Sequence, residues 1–252
     1  MSVIDLEDLE DLADRLAARP RILILGQHYL ADEQMDTPMQ AAAHATVGTK
    51  DLHGWWLKSD LSVPDRRKRF LDVEAPVIAD ADTRRLLQLP WRAVFTSCID
   101  RSTRRWLEIP NRRQVDQRFT SRFNERQDAG LVTLFRLFGS VEREDEDQLP
   151  PSSAGRAMRL LRSKAAKTLA TIVPLIGASG TVFIEGWRPE LDWLRLRDLA
   201  PALARLTDRQ VLFFGVDQAT RGLLEDDDDF AECIDERIVQ LYPETLRAYV
   251  AE

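Results

Sequence analysis

Apolar positions fall along this chain in two rhythms. Five short runs are almost continuously hydrophobic: 21–26 (RILILG), 91–96 (WRAVFT), 131–137 (LVTLFRL), 181–186 (TVFIEG) and 210–215 (QVLFFG). Such runs, lacking the polar alternation of a half-exposed strand, predict strands buried on both faces. Elsewhere apolar residues recur every three or four positions, the period of one helical face. Leu6, Leu9, Leu12 and Leu16 place a helix over 4–16, closed by Pro20. Further helices are expected over 39–47 after Thr37-Pro38, over 82–89 before Pro90, and over 102–107 behind a Ser or Thr cap. A long helix over 153–176, bent at Pro174, is followed by helices over 191–206 and 230–241. Residues 53–57 (HGWWL) read as a packed turn and Asp226 to Asp229 as a solvated acidic loop.

Strands that alternate with crossover helices join right-handed and build a parallel sheet. The expected fold is therefore α/β: a Rossmann-like, doubly wound, mostly parallel sheet with helices on both faces. The whole chain, 1–252, reads as one such domain, with room for a small helical insertion over 28–80. Its end, 244–252, is a helical pattern without a stop signal, as in a natural terminus or a piece of a longer protein. Four of the five strands run into Gly26, Gly139-Ser140, Gly186 or Gly215. Sheets of this class bind ligands at the carboxyl ends of their strands, where the topology switches. Gly26, the stretch from Thr96 to Asp100, Phe138 to Ser140, and Gly186 then share one rim.

Composition narrows the choice of partner. A formal net charge of −7 gives no global attraction to nucleic acid or anionic membrane. Arginine is dense over 101–113 and 156–167, as a solvated helix face or as an anion- or partner-binding surface. Two cysteines, Cys98 and Cys233, make no disulfide framework and no zinc pattern. The acidic amino terminus is unlike a targeting peptide, and no apolar run approaches the roughly 20 residues that cross a bilayer. A cytoplasmic chain, with no membrane, metal or direct nucleic-acid contact, is expected.

In order and spacing the rim segments resemble the sirtuin family, in particular the diverged sirtuin-like domains of prokaryotic antiphage defence proteins. Gly26-Gln27-His28 is similar to the opening of the glycine-rich turn that holds the pyrophosphate of NAD. Thr96-Ser97-Cys98-Ile99-Asp100 resembles the Thr-Gln/Thr-Asn-x-Asp element, and Leu137-Phe138-Gly139-Ser140 the Leu-His-Gly-Ser element. Gly186-Trp187-Arg188 is similar to the Gly-aromatic-Ser turn, and the likeness spans about 20–215. The resemblance implies a site for NAD or an ADP-ribose-like nucleotide at Gly26, Gln27, His28, Thr96, Ser97, Asp100, Gly139, Ser140, Gly186 and Trp187. It also implies a homo-oligomer, or a partner protein of a bacterial defence system.

The departures fall on the chemistry. Cys98 stands where the family has the asparagine that orients the nicotinamide ribose, and a thiol lacks the amide's paired donor and acceptor. Phe138 replaces the histidine that serves as general base. Gln27 and His28 crowd the backbone that should approach a pyrophosphate. A domain without the usual catalysis is the first expectation. The second is an unconventional NAD hydrolase using Asp100, Ser97 or His28.

The third reading takes Cys98 and Arg104 as the C-x5-R frame of a cysteine-dependent phosphatase. Asp100 inside the cradle, and the lack of a glycine there, argue against it; packing in the core explains Cys98 as well. Of the three histidines only His28 lies on the expected rim; His44 and His53 read as surface or packed residues. Trp187 is a candidate to stack on a base, the other tryptophans being core or interface. Asp217 reads either as a ribose ligand or as a helix cap.

Overall fold

Runs such as Ile22-Leu23-Ile24-Leu25 leave no polar side to face water, so they lie in the middle of a sheet covered on both faces. In the computed structural model this holds for every strand expected from the sequence. Residues 6–17, 20–27, 52–74, 81–108, 114–119, 131–145, 148–207 and 210–251 are described.

Among the described residues the sheet has seven strands: β1 (Arg21–Leu25), β2 (Ala93–Thr96), β3 (Gln114–Arg118), β4 (Leu131–Arg136), β5 (Thr181–Glu185), β6 (Val211–Phe213) and β7 (Val239–Leu241). Their order is β3-β4-β2-β1-β5-β6-β7, and every pairing is parallel. The chain builds β1 to β4 on one side, then crosses back over β2 and β1 to start β5 on the other. The topological switch therefore lies between β1 and β5. The Rossmann-like α/β expectation holds, with all strands parallel rather than most. Around the sheet stand α1 (Leu6–Ala17), α2 (Leu52–Lys58), α3 (Val63–Glu74), α4 (Ala81–Gln88), α5 (Ser102–Glu108), α6 (Arg156–Leu169), α7 (Ile172–Ile176), α8 (Leu196–Leu203), α9 (Gln218–Glu225), α10 (Asp228–Asp235) and α11 (Leu246–Ala251).

Several boundaries differ from expectation for identifiable reasons. The two added strands, β3 (QVDQR) and β7 (VQL), are the sheet edges, where one partner suffices and no long apolar run is needed. The residues expected to end the last helix thus form β7. Residues 53–57 are helical in α2, whose Trp56 is buried and donates its indole N–H to Pro151 O. Arg66 of α3 donates to Trp56 O and Ser59 O, tying α2 to α3.

The 153–176 helix divides at Ala170 and Thr171. The ring of Pro174 clashes with a helical carbonyl four residues back, at residue 170, so the chain breaks there and resumes with Pro174 in a new first turn. Asp227 accepts from Phe230 N and caps α10, so the expected acidic loop is mostly a helix start. The helix expected over 191–206 shrinks to α8, and the residues before it do something else. The expected helix over 39–47 lies outside the described residues, as do His28 and His44.

Candidate functional site: the rim at the strand ends

Register brings Leu25, Thr96, Arg136 and Glu185 level across four strands, so the segments that follow them emerge at one rim. The sequence places its cofactor residues there, and the structure brings together those it describes, all but His28. What lies over them is the chain itself.

Gly26 shows how closely. A Cβ at this position would sit 2.3 Å from Gly186 O and 2.3 Å from Trp187 Cα, inside any allowed contact. The glycine is required by its neighbour β5, whose exit turn crosses the β1 turn directly at the topological switch. Gly26 N donates to Glu185 O at 3.0 Å, and Gly186 takes φ +63, a conformation that suits glycine. Trp187, 2% exposed, packs on Phe213 and Phe230 and donates its indole N–H to Leu194 O. It is a core residue here, and stacking on a base would require this turn to open.

Residues 187–195 then fold back into the crevice as a plug. At its centre is Asp192, which is wholly buried. One carboxylate oxygen accepts from Gln27 N at 3.1 Å and from Ser97 Oγ at 2.8 Å, and the other accepts from Leu194 N at 3.0 Å. Burial pushes its pKa up to about 6, a shift the three hydrogen bonds oppose without cancelling. Gln27 also donates its side-chain amide to Leu191 O. The turn expected to cradle a pyrophosphate therefore holds a carboxylate of the same chain.

Next to Asp192, Trp193 stacks on His53 with ring centroids 4.1 Å apart and meets Phe138 edge-on at 5.7 Å. The His53 ring donates through Nε2 to Ser97 O at 3.1 Å. Phe138 is fully buried, and its ring makes an apolar contact there.

The remaining rim residues are also engaged internally. Thr96 Oγ1 donates to Leu25 O and accepts from Cys98 N. The Cys98 thiol donates to Gly26 O at 3.2 Å; burial, with Asp100 and Asp192 nearby, raises its pKa well above the ordinary range. Asp100 caps α5 through Thr103 N. Gly139 takes φ +85 beneath Gln148 and Leu149, while Ser140 N donates to Gln148 O and its hydroxyl accepts from Glu142 N.

Arg104, the other half of the C-x5-R frame, pairs with Glu108 at 2.8 Å and with Glu142. A protonated thiol and a guanidinium committed to two carboxylates do not form a phosphate cradle. Asp217 takes its capping role, accepting from Thr220 N at 2.7 Å, and that bond lowers its pKa.

Sequence reading missed Asp192; it had Trp193 as core or interface and His53 as surface or packed, and both are buried. Asp192 carries little local signal, since two of its three donors lie 165 and 95 residues away. Trp193 and His53 are recognisable as bulky, packable side chains, but only folding makes them neighbours. Two open cavities are lined by described residues. One, of about 370 Å³, is lined by Val216, Asp217, Gln218, Arg221, Leu241 and Pro243 at the ends of β6 and β7. The other, of about 380 Å³, lies against the outer side of 189–197.

Among the described residues no group of three or more His, Cys, Asp or Glu could hold a metal ion, and no helix is long and apolar enough to cross a membrane. No protein-family model matches the chain, and comparison with curated proteins finds no relative.

Proposed function

We propose that this chain is a non-catalytic sirtuin-like domain that works by binding, as a cytoplasmic scaffold within a prokaryotic antiphage assembly, and that any NAD or ADP-ribose it takes is held without turnover. The observation that carries the reading is the plug. Asp192 ties the turn after β1 to the turn after β2, where a cofactor would lie. The positions of the family's asparagine and histidine are a buried thiol and a buried phenyl ring, and neither exchanges a proton near neutral pH. A rim sealed in this way gives a rigid body, which suits assembly with a second copy or a partner protein better than chemistry.

The test is calorimetric titration of the purified chain with NAD and with ADP-ribose, followed by overnight product analysis of the same samples. No nicotinamide release is expected. Heat without product assigns a nucleotide-holding role, and no heat assigns a purely protein-binding scaffold. NAD loss that is abolished by Asp100→Ala would overturn the reading in favour of an unconventional hydrolase. Hydrolysis of an aryl phosphate that is abolished by Cys98→Ser would overturn it in favour of a phosphatase.

A further inference from the structure

The segment that plugs the rim has a second face. Its inner side chains, Trp187, Asp192, Trp193 and Leu194, are buried, while Pro189, Glu190, Arg195, Leu196 and Arg197 line the cavity of about 380 Å³. Arg162 of α6, Leu223 of α9 and Asp227 at the start of α10 complete it. This volume is in the range of small-molecule sites.

Three guanidinium groups meet here. Arg162 is anchored by Nε to Trp193 O at 3.2 Å, and Arg195 by one terminal nitrogen to Pro189 O at 3.1 Å. These carbonyl contacts fix the side chains without neutralising them. Arg197 is exposed and makes no ion pair among the described residues.

The nearby carboxylates offset this only in part. In the lining, Glu190 and Asp227 set two negative charges against the three positive ones; Asp227 also caps Phe230 N, and Asp198, outside the lining, accepts from Arg195 N. Burial and the positive charges of Arg195 and Arg197 lower the pKa of Arg162, with Asp198 opposing them. Arg197 also stands in the first turn of α8, where the helix dipole disfavours a cation. Clustered cations at such a place are stabilised by an anion. Leu196, Pro189 and Leu223, the last 42% exposed, add apolar lining to the same cavity.

We propose that this cavity binds a small organic phosphate, the phosphate held by Arg197 and Arg162 and the apolar part lying over Leu196 and Leu223. Guanidinium groups match phosphate oxygens in paired hydrogen bonds, so arginine suits this task better than lysine. Within the arginine-dense stretch 156–167, Arg162 is the residue that takes the anion-binding role. The site stands apart from the plugged rim and does not depend on the scaffold reading.

Calorimetric titration of the whole chain with ADP, and separately with pyrophosphate, tests the site. ADP is expected to bind in a salt-dependent manner, with pyrophosphate competing. Arg197→Glu should weaken both at least tenfold, with Arg197→Gln intermediate. Leu223→Ser should weaken ADP and leave pyrophosphate unchanged. Arg197 is exposed, so an unaltered melting curve separates lost binding from lost fold. Absence of ADP binding at millimolar concentration, or binding unchanged by Arg197→Glu, would overturn the proposal. NAD and ADP-ribose are organic phosphates too, so their titration is repeated on Arg197→Glu: heat that survives there belongs to the rim, and heat that is lost belongs to this cavity.

Discussion

Ser97, at the end of β2, donates its hydroxyl to Asp192 at 2.8 Å across 95 residues of sequence, and both side chains are buried. With the Gln27 amide on the same oxygen, this contact joins the exits of β1 and β2 to the segment that leaves β5. The rim of this sheet is thus closed by an internal carboxylate at the place where related architectures admit a ligand.

Replacing that carboxylate should loosen the rim. Asp192→Asn keeps the shape but points an NH2 group at donors, either Leu194 N or the Gln27 and Ser97 pair. A buried donor left without an acceptor costs about 1–3 kcal/mol. The variant is also spared the cost of burying a charge, so the readout is hydrogen exchange at the Gln27 amide, which should quicken. Unchanged exchange there would mean that Asp192 does not hold the plug.

Stability should also depend on pH through Glu185, which is buried, accepts from Leu246 N and lies 3.7 Å from Arg247. Burial outweighs both and raises its pKa from about 4.5 to about 7. The folded state then binds the proton more tightly than the unfolded chain. The favourable contribution is complete below about pH 4.5 and is lost as pH rises through 7. Asp192 acts in the same direction between 3.8 and about 6. Glu185→Gln should therefore gain on the wild type between pH 4.5 and 7, by on the order of 3 kcal/mol. Parallel stability curves for the two proteins across that range would refute this.

Two glycines should respond oppositely to alanine. At Gly26 the added methyl meets backbone at 2.3 Å, which no rotamer can relieve, so Gly26→Ala should cost about 3 kcal/mol or more, or abolish soluble expression. Gly222 lies inside α9 with nothing within 4 Å of an added Cβ. There alanine should stabilise by about 0.5–1 kcal/mol, through helix propensity alone. Thermal melts of the pair decide the matter, and a mild Gly26→Ala would show that the β1 and β5 turns can separate.

Both cysteines should be silent in the native protein. Burial raises the pKa of each, and Cys98 also donates to Gly26 O. A thiol reagent at pH 8 should label neither until denaturant is added. Rapid native labelling of Cys98, measured by mass spectrometry, would show the rim opening on its own.

Much of this architecture was legible along the chain, because β1, β2, β4, β5 and β6 lie inside the sheet. A strand covered on both faces must be apolar at consecutive positions, and that requirement is local. The glycines at the strand ends were visible for the same kind of reason, although what requires the glycine at position 26 is a neighbouring backbone. The edges were not legible: β3 reads QVDQR because an edge strand needs no continuous apolar face.

The plug was decided only by tertiary structure. Residues 191–195 carry a helical pattern, yet they leave the helix and fold inward, with Asp192 and Trp193 buried. The partners that compensate them, Gln27, His53, Ser97 and Phe138, come from four other places in the chain. By itself the sequence determined a parallel α/β sheet and where its strands end, since hydrophobic periodicity needs only near neighbours. Whether that rim lies open or filled depends on which distant side chains meet a buried carboxylate, and that became settled only when the strands aligned.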